Sequence, residues 1–458
     1  MTFTRHWMTI YLEVKKVGNM VATLTQSSMD AKQQSAGLGK YTELAFAAGI
    51  GATLASGILV GLSSTITVWQ KGLSLSTAQV GIISAVMSFA IALGSLAGGR
   101  VADKVGRVHF FNWISALYVV GAFMCAAAMN FGMLTVGIIV AGVASGAEIP
   151  VAITVLSYDA PNSAMGSKLV STSQIFWQIG IFVSYIAAFL VSSLSGAMGG
   201  RIVFGFFAGM GIVVWGWRVF SSGLKRIHAE ADERHNIQAR AEEGYDTQKV
   251  SVFSVLLGSQ KKALLGFLGA ITGYYVMWNL LANTWGQFQT YMFSQAGANQ
   301  TLATALGIGL NLITLILNIV FAAVSGGKYR NSAFYAGLIL TLFSIIVMAL
   351  GGASLGVIIT ATALLYAGIP LAGEAMYKVW TQESFPISIR ATVQGFINGF
   401  SRLIYGLFAL VTPMLVAPSV IKSTMWGFVG VVIIEAVAGF TMIVLQKKYG
   451  TDEHPLNR

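Results

Sequence analysis

Twelve apolar runs of about twenty residues, separated by short polar breaks, leave this chain one solvent in which it can fold. They cover 45–69, 78–99, 109–129, 132–157, 168–193 and 200–222, then 263–290, 302–325, 332–350, 355–382, 392–416 and 423–446. Each run is long enough to cross bilayer hydrocarbon as a helix, and in lipid a helix satisfies its backbone hydrogen bonds within one segment. Composition agrees: charged residues are 10%, against about a quarter in soluble domains, and mean hydropathy is +0.72. The one long internal polar stretch, 223–262, falls at the midpoint. The expected fold is an all-α membrane protein, twelve transmembrane helices in two six-helix halves. Residues 1–44 form an amino-terminal tail, 45–222 the first bundle, 223–262 a central loop, 263–446 the second bundle and 447–458 a carboxy-terminal tail.

An even number of spans puts both termini on one side, and the basic residues choose it. All but five of the 28 lysines and arginines lie in loops, tails or span ends on the amino-terminal side. The exceptions are Lys71, Arg201 and Lys422 in the opposite loops, and Lys378 and Arg402 within spans. Both termini are therefore expected in the cytoplasm, with the chain multi-pass in a bacterial inner membrane. The first 44 residues contain no apolar run long enough for a signal sequence or span. The net charge of +11 is spread over short loops and is explained by topology instead of nucleic acid. The single Cys125 excludes a disulfide framework or cysteine metal site, and its position in an apolar run reads as packing. His6, His109, His228, His235 and His454 all lie in tails, loops or span ends, away from any catalytic cluster at lipid depth. Neither enzyme activity, metal nor cofactor is expected.

Between spans two and three runs Gly99-Arg100-Val101-Ala102-Asp103-Lys104-Val105-Gly106-Arg107. This Gly-x-x-x-Asp-Lys-x-Gly-Arg turn resembles the loop between helices two and three of the major facilitator superfamily. The resemblance implies two halves that rock about a central site, with Arg100, Asp103 and Arg107 latching the cytoplasmic side. A copy expected after span eight, Gly326-Gly327-Lys328-Tyr329-Arg330, is degenerate. Duplication is also hinted at by Asp159-x-Pro161 after span four and Glu383-x-x-Pro386 after span ten.

Ionisable groups at lipid depth are costly unless they face water or a partner, so each is a site candidate. Glu148 lies among small residues in Ser145-Gly146-Ala147-Glu148-Ile149-Pro150. It is the expected proton-coupling carboxyl, or a group that binds a substrate hydroxyl, the other reading being a structural pair with a neighbouring base. Glu374 and Lys378 stand four apart on one helix face, as do Asn398 and Arg402. Glu374, Lys378 and Arg402 are expected to form a gating or ligand-charge network, the plain alternative being a self-neutralising pair. Glu435 has no polar neighbours in sequence and is expected to be structural or loop-facing.

Uncharged polar and aromatic residues suit a hydroxylated ligand. Span five carries Gln174, Trp177 and Gln178, and span seven carries Tyr275, Trp278, Asn279 and Asn283 along one stripe. Amides offer donor and acceptor to hydroxyls, while aromatic faces pack on the C–H face of a sugar or cyclitol. Gln174, Gln178, Tyr275, Trp278, Asn279, Asn283 and Trp380 are the candidate substrate residues. The alternative is an interfacial aromatic belt with amides joining helices, which suits Trp285 best.

Trp380-Thr381-Gln382-Glu383-Ser384-Phe385-Pro386 through Arg390 resembles the Glu-x-Phe-Pro-x-x-x-Arg signature of the sugar porters. That adds Glu383 and Arg390 to the charge network. Lys168-Leu169-Val170-Ser171 with Gln174 is similar to the start of their helix five, where a glutamine contacts sugar. With Gly146-Ala147-Glu148-Ile149-Pro150, the chain is most similar to bacterial inositol-transporter-like members. It departs from them in span one, where Thr53-Leu54-Ala55-Ser56-Gly57-Ile58 has no coupling aspartate. The helix-four arginine is replaced by Val136-Gly137-Ile138, the paired glutamines of helix seven are absent, and the arginine after helix four is replaced near Met165. The expectation is a monomeric carrier importing a small hydroxylated solute, a sugar or cyclitol such as inositol, with protons. The alternatives are a carrier of a small organic anion such as a sugar acid, an uncoupled facilitator, or a membrane nutrient sensor.

Overall fold

A computed structural model describes residues 38–161, 163–241, 256–258, 260–324 and 329–450. The described helices are α1 (Thr42–Gly72), α2 (Thr77–Val105), α3 (Arg107–Ala126), α4 (Phe131–Asp159), α5 (Ser163–Leu190), α6 (Met198–Phe220) and α7 (Ser222–Ala241). They continue with α8 (Lys261–Gln295), α9 (Gln300–Val324), α10 (Arg330–Gly351), α11 (Leu355–Leu371), α12 (Glu374–Ser384), α13 (Ile387–Ala409), α14 (Thr412–Leu415) and α15 (Ile421–Tyr449). Among the described residues, ten helices are long and apolar enough to cross a membrane. Two further expected spans are helical as α5 and α13, over 28 and 23 residues. The chain is an all-helical, multi-pass membrane protein.

Where apolar runs meet polar breaks, local signals set the ends. Ser76 and Gln79 form a reciprocal capping box at the start of α2, and Asn130 accepts from the Met133 amide at the start of α4. Span ten differs from its expectation because it is two helices. Pro370 removes a backbone donor, Ala372 leaves helical geometry, and Gly373 adopts an extended φ of −150° before the chain restarts at Glu374. The expected central loop also begins as helix α7, while 242–255 and 259 lie outside the described residues. The expected tails lie outside them too, except for 38–44 and 447–450.

In the first half α1 packs on α5, α2 on α4, and α3 on both α4 and α6. Six spans later the same neighbours recur: α8 packs on α13, α9 on α11, and α10 on both α11 and α15. This repeated pairing is the duplication that the sequence barely retains. Across the halves α1 meets α8, α2 meets α13, and α5 meets α9. Hydrogen bonds cross at Thr67–Gln300, Ser192–Thr301, Tyr185–Gln289 and Gln287–Ser88. All four lie toward the end where α1 finishes, called the far end; the near end holds Thr42 and Tyr449.

Candidate functional site

The span-seven stripe meets α12 and α13. Asn279, 2% exposed, donates through Nδ2 to Ser401 Oγ at 2.7 Å and accepts from the Asn283 amide at Oδ1. Asn283 also bonds the Asn279 carbonyl at 3.0 Å, and Tyr405 donates to the Asn283 carbonyl at 3.0 Å. Asn279 is thus a bracket between α8 and α13, whereas Asn283 is only half-buried. Tyr275 stacks on Trp278 at 5.4 Å and on Tyr377 of α12 at 4.0 Å. Ser401, Tyr405 and Tyr377 belong to this wall although sequence reasoning passed over them as site candidates; Ser401 and Tyr405 stand four apart on α13, but a hydroxyl in an apolar span gave no distinct signal.

The charge trio is brought together on the same wall. Lys378 Nζ lies 2.8 Å from Glu374 Oε1, with the two side chains 30% and 45% exposed, so protein covers them only partly. Arg402 acts electrostatically on Glu374 and its Nε donates to Asn398 Oδ1 at 3.3 Å. One carboxylate against two cations leaves this wall one positive charge in excess. The helix break sets the geometry: Glu374 opens α12, where the positive end of the helix dipole favours an acid. A Cβ on Gly373 would collide with Trp278, so glycine lets α12 approach α8.

Trp380 points elsewhere. It is fully buried, packing on Tyr274 at 5.0 Å and Phe334 at 5.3 Å. In the first half Gln178 of α5 is half-buried, its Nε2 has no partner among the described residues, and no hydrogen bond joins it to the α8 stripe. The side chains of Gln174, Arg100, Asp103 and Arg390 lie outside the described residues. Span one, lacking an acid, uses its polar residues for packing: Thr53 and Ser56 donate to the Phe176 and Trp177 carbonyls, each at 2.8 Å.

Glu148 sits in a different place, the core of the first half. Arg218 grips both of its oxygens, at 2.5 and 3.1 Å, and also donates to the Ala47 and Phe111 carbonyls and Ser115 Oγ. The guanidinium lies 3.7 Å over the Phe111 ring. Arg218 is 1% exposed, near the end of α6, and a Cβ at Gly51 of α1 would collide with both partners. Counted from sequence as a span-end base, it in fact turns inward; the signal that could have found it is the requirement that Glu148 have a partner.

At the near end Arg107 lies over the Tyr158 ring and 3.4 Å from Asp232 of α7, contacts within the first half and its linker. Asp159 meets His228 of α7 at 2.6 Å, and the Asp159 carbonyl accepts from Arg234 at 2.6 Å. In the second half Glu383 pairs with Arg330 at 2.5 Å and accepts from Gln446 at 2.9 Å. Glu435, expected to be structural or loop-facing, faces no loop: it stands at the middle of α15 and is 1% exposed.

A family model described as the Major Facilitator Superfamily matches residues 44–407. The chain is similar to the "Minor myo-inositol transporter IolF" of Bacillus subtilis (strain 168), 27% identical over 380 residues, covering 82% of this chain and 84% of that protein. It is also similar to the "Glucose transporter GlcP" of Staphylococcus epidermidis, 22% identical over 379 residues, covering 77% and 82%. Among solved structures, that of the D-xylose-proton symporter superimposes with a TM-score of 0.69 at 13% identity, covering 87% of this chain and 97% of that one. An inward-open structure of the xylose transporter XylE from E. coli gives 0.64 at 14% identity, covering 86% and 94%. At such identities the structures speak for the fold, whereas the family model spans most of the sequence. With that match over residues 44–407 and with its repeated helix pairing, the chain belongs to the Major Facilitator Superfamily.

Proposed function

We propose that this protein is a secondary transporter that imports a small hydroxylated solute, a sugar or cyclitol, by proton symport. The observation that carries the reading is the wall of α8, α12 and α13, where half-buried Asn283 and the buried, stacked rings of Tyr275 and Trp278 share α8 and the charged Glu374, Lys378 and Arg402 lie on the helices packed against it. Similarity to an inositol transporter and a glucose transporter over about four-fifths of the chain supports it. Hydrogen bonds between the halves cluster toward the far end, and the basic residues favour a cytoplasmic near end. In this reading the far end is closed, the solute path opens to the cytoplasm of a bacterial cell, and the halves alternate about the wall. Glu148 serves through its pair with Arg218: proton uptake there requires the guanidinium to withdraw, so the pair clamps α1, α3, α4 and α6.

A sugar acid is the second reading, favoured by the excess positive charge of Glu374, Lys378 and Arg402. A thermal-shift screen of purified protein against sugars, cyclitols and sugar acids separates the two, because a ligand of the folded state raises its melting temperature. Stabilisation by a neutral polyol, followed by counterflow of that polyol in proteoliposomes, is the expected result. Stabilisation by sugar acids alone, abolished by Lys378→Gln, would select the second reading. Binding without counterflow would point to a sensor.

A further inference from the structure

Glu435 is the central residue of α15, fourteen positions from Ile421 and fourteen from Tyr449, or about 21 Å of helix from each end. It is 1% exposed, and its Oε2 has no hydrogen-bond partner among the described residues. The helices packed against α15 are α8 and α10, with α12 close behind. From α8 the titratable group facing it is Tyr274, fully buried, whose hydroxyl is also unpartnered among the described residues. From α10 come Phe334, which meets α15 at Gly439, and Tyr335, which stacks on Phe440 one turn along. The nearest ion pair on this side, Arg330 with Glu383, is held beside Gln446, about three turns away. From α12 Trp380 packs on Tyr274 and Phe334, and its Nε1 lacks a partner as well. Among the described residues no cation pairs with this carboxyl, in contrast with Glu148.

A bare carboxylate in such a core would be an uncompensated charge at lipid depth. A carboxylic acid, by contrast, is neutral and tolerable. We propose that Glu435 is a proton-binding site of the carrier, loaded in this conformation and emptied in another, and that it carries the coupled proton. Loading forms one O–H bond with a proton taken from water on one side; unloading breaks it and returns the proton to water on the other. Trp380 and Tyr274 link the site to the solute wall, since Trp380 rides on the same eleven-residue helix as Glu374 and Lys378. The inference rests on the symport reading above.

The test uses the full chain in lipid, with Glu435→Gln, Glu435→Asp and Glu148→Gln. Infrared spectra at neutral pH should show a carboxylic-acid C=O band that disappears in Glu435→Gln and persists in Glu148→Gln. With one pH unit across proteoliposomes, a one-proton symporter holds up to about a tenfold solute gradient. Glu435→Gln should fall to about onefold while keeping solute counterflow and the solute-induced thermal shift, and Glu435→Asp should recover part of the gradient. A Glu435→Gln spectrum identical to wild type overturns the proposal, as does an undiminished gradient in that variant. Counterflow in the wild type with no pH-driven gradient rejects symport and with it the coupling role; absence of wild-type counterflow rejects the transport reading itself.

Discussion

Glu148 and Glu435 are the same residue type, buried to 5% and 1% exposure in the cores of the two halves, and they are treated oppositely. Glu148 has a guanidinium on both oxygens, an aromatic ring beneath that guanidinium and a glycine cleared to admit it. Among the described residues Glu435 has Tyr274 with no hydrogen-bond partner on its hydroxyl, the indole of Trp380 packed behind that ring, and no paired base. The difference teaches that burial alone does not define a functional acid in a membrane protein. A carboxylate locked into a bidentate pair is a structural fastener, because leaving the pair exposes two charges to an apolar core. A carboxyl without a partner can change its proton with far less rearrangement.

The comparison breaks most visibly at Arg218. Arg218→Met strands the Glu148 charge and should cost about 3–5 kcal/mol, read as a fall in the melting temperature of detergent-solubilised protein. The double variant Arg218→Met with Glu148→Met should regain most of that loss; a double as unstable as the single would mean that packing, not charge, dominates the site. Gly51→Ala tests the same pair more gently, since the added methyl displaces Glu148 and Arg218 and should cost about 1–3 kcal/mol. Smallest is Glu435→Gln, which exchanges one neutral group for another of equal shape and should move stability by under about 1 kcal/mol. A loss as large as that of Arg218→Met would show that Glu435 is held as a paired charge after all.

Much of the fold was legible because lipid leaves the chain few choices. Each apolar run coincides with helix, with ends displaced modestly, as where α2 runs on from 99 to Val105 and α13 stops at Ala409 short of 416. The break at Gly373 was less legible: hydropathy continues across it, and only Pro370 and Gly373 together interrupt the helix. The α8 stripe and the Glu374–Lys378 pair were readable from helical spacing. Trp380 shows the limit of that logic, since an aromatic near a polar face can turn into the core, as it does against Tyr274. The inward turn of Arg218 and the burial of Glu435 away from any loop were missed for a shared reason. Sequence gives depth along a span but not azimuth around it, so it could not say which base turns inward or which acid it meets.

The interruption between α11 and α12 gives the second half a cam. An eleven-residue rod joined to its neighbour through Ala372 and Gly373 can roll without dragging α11. It bears the Glu374–Lys378 pair on one flank and Trp380 on another, so any roll that repositions the pair shifts the indole lying against Tyr274. Solute and proton would then be registered by opposite sides of one short shaft, with no wire of contacts needed between them.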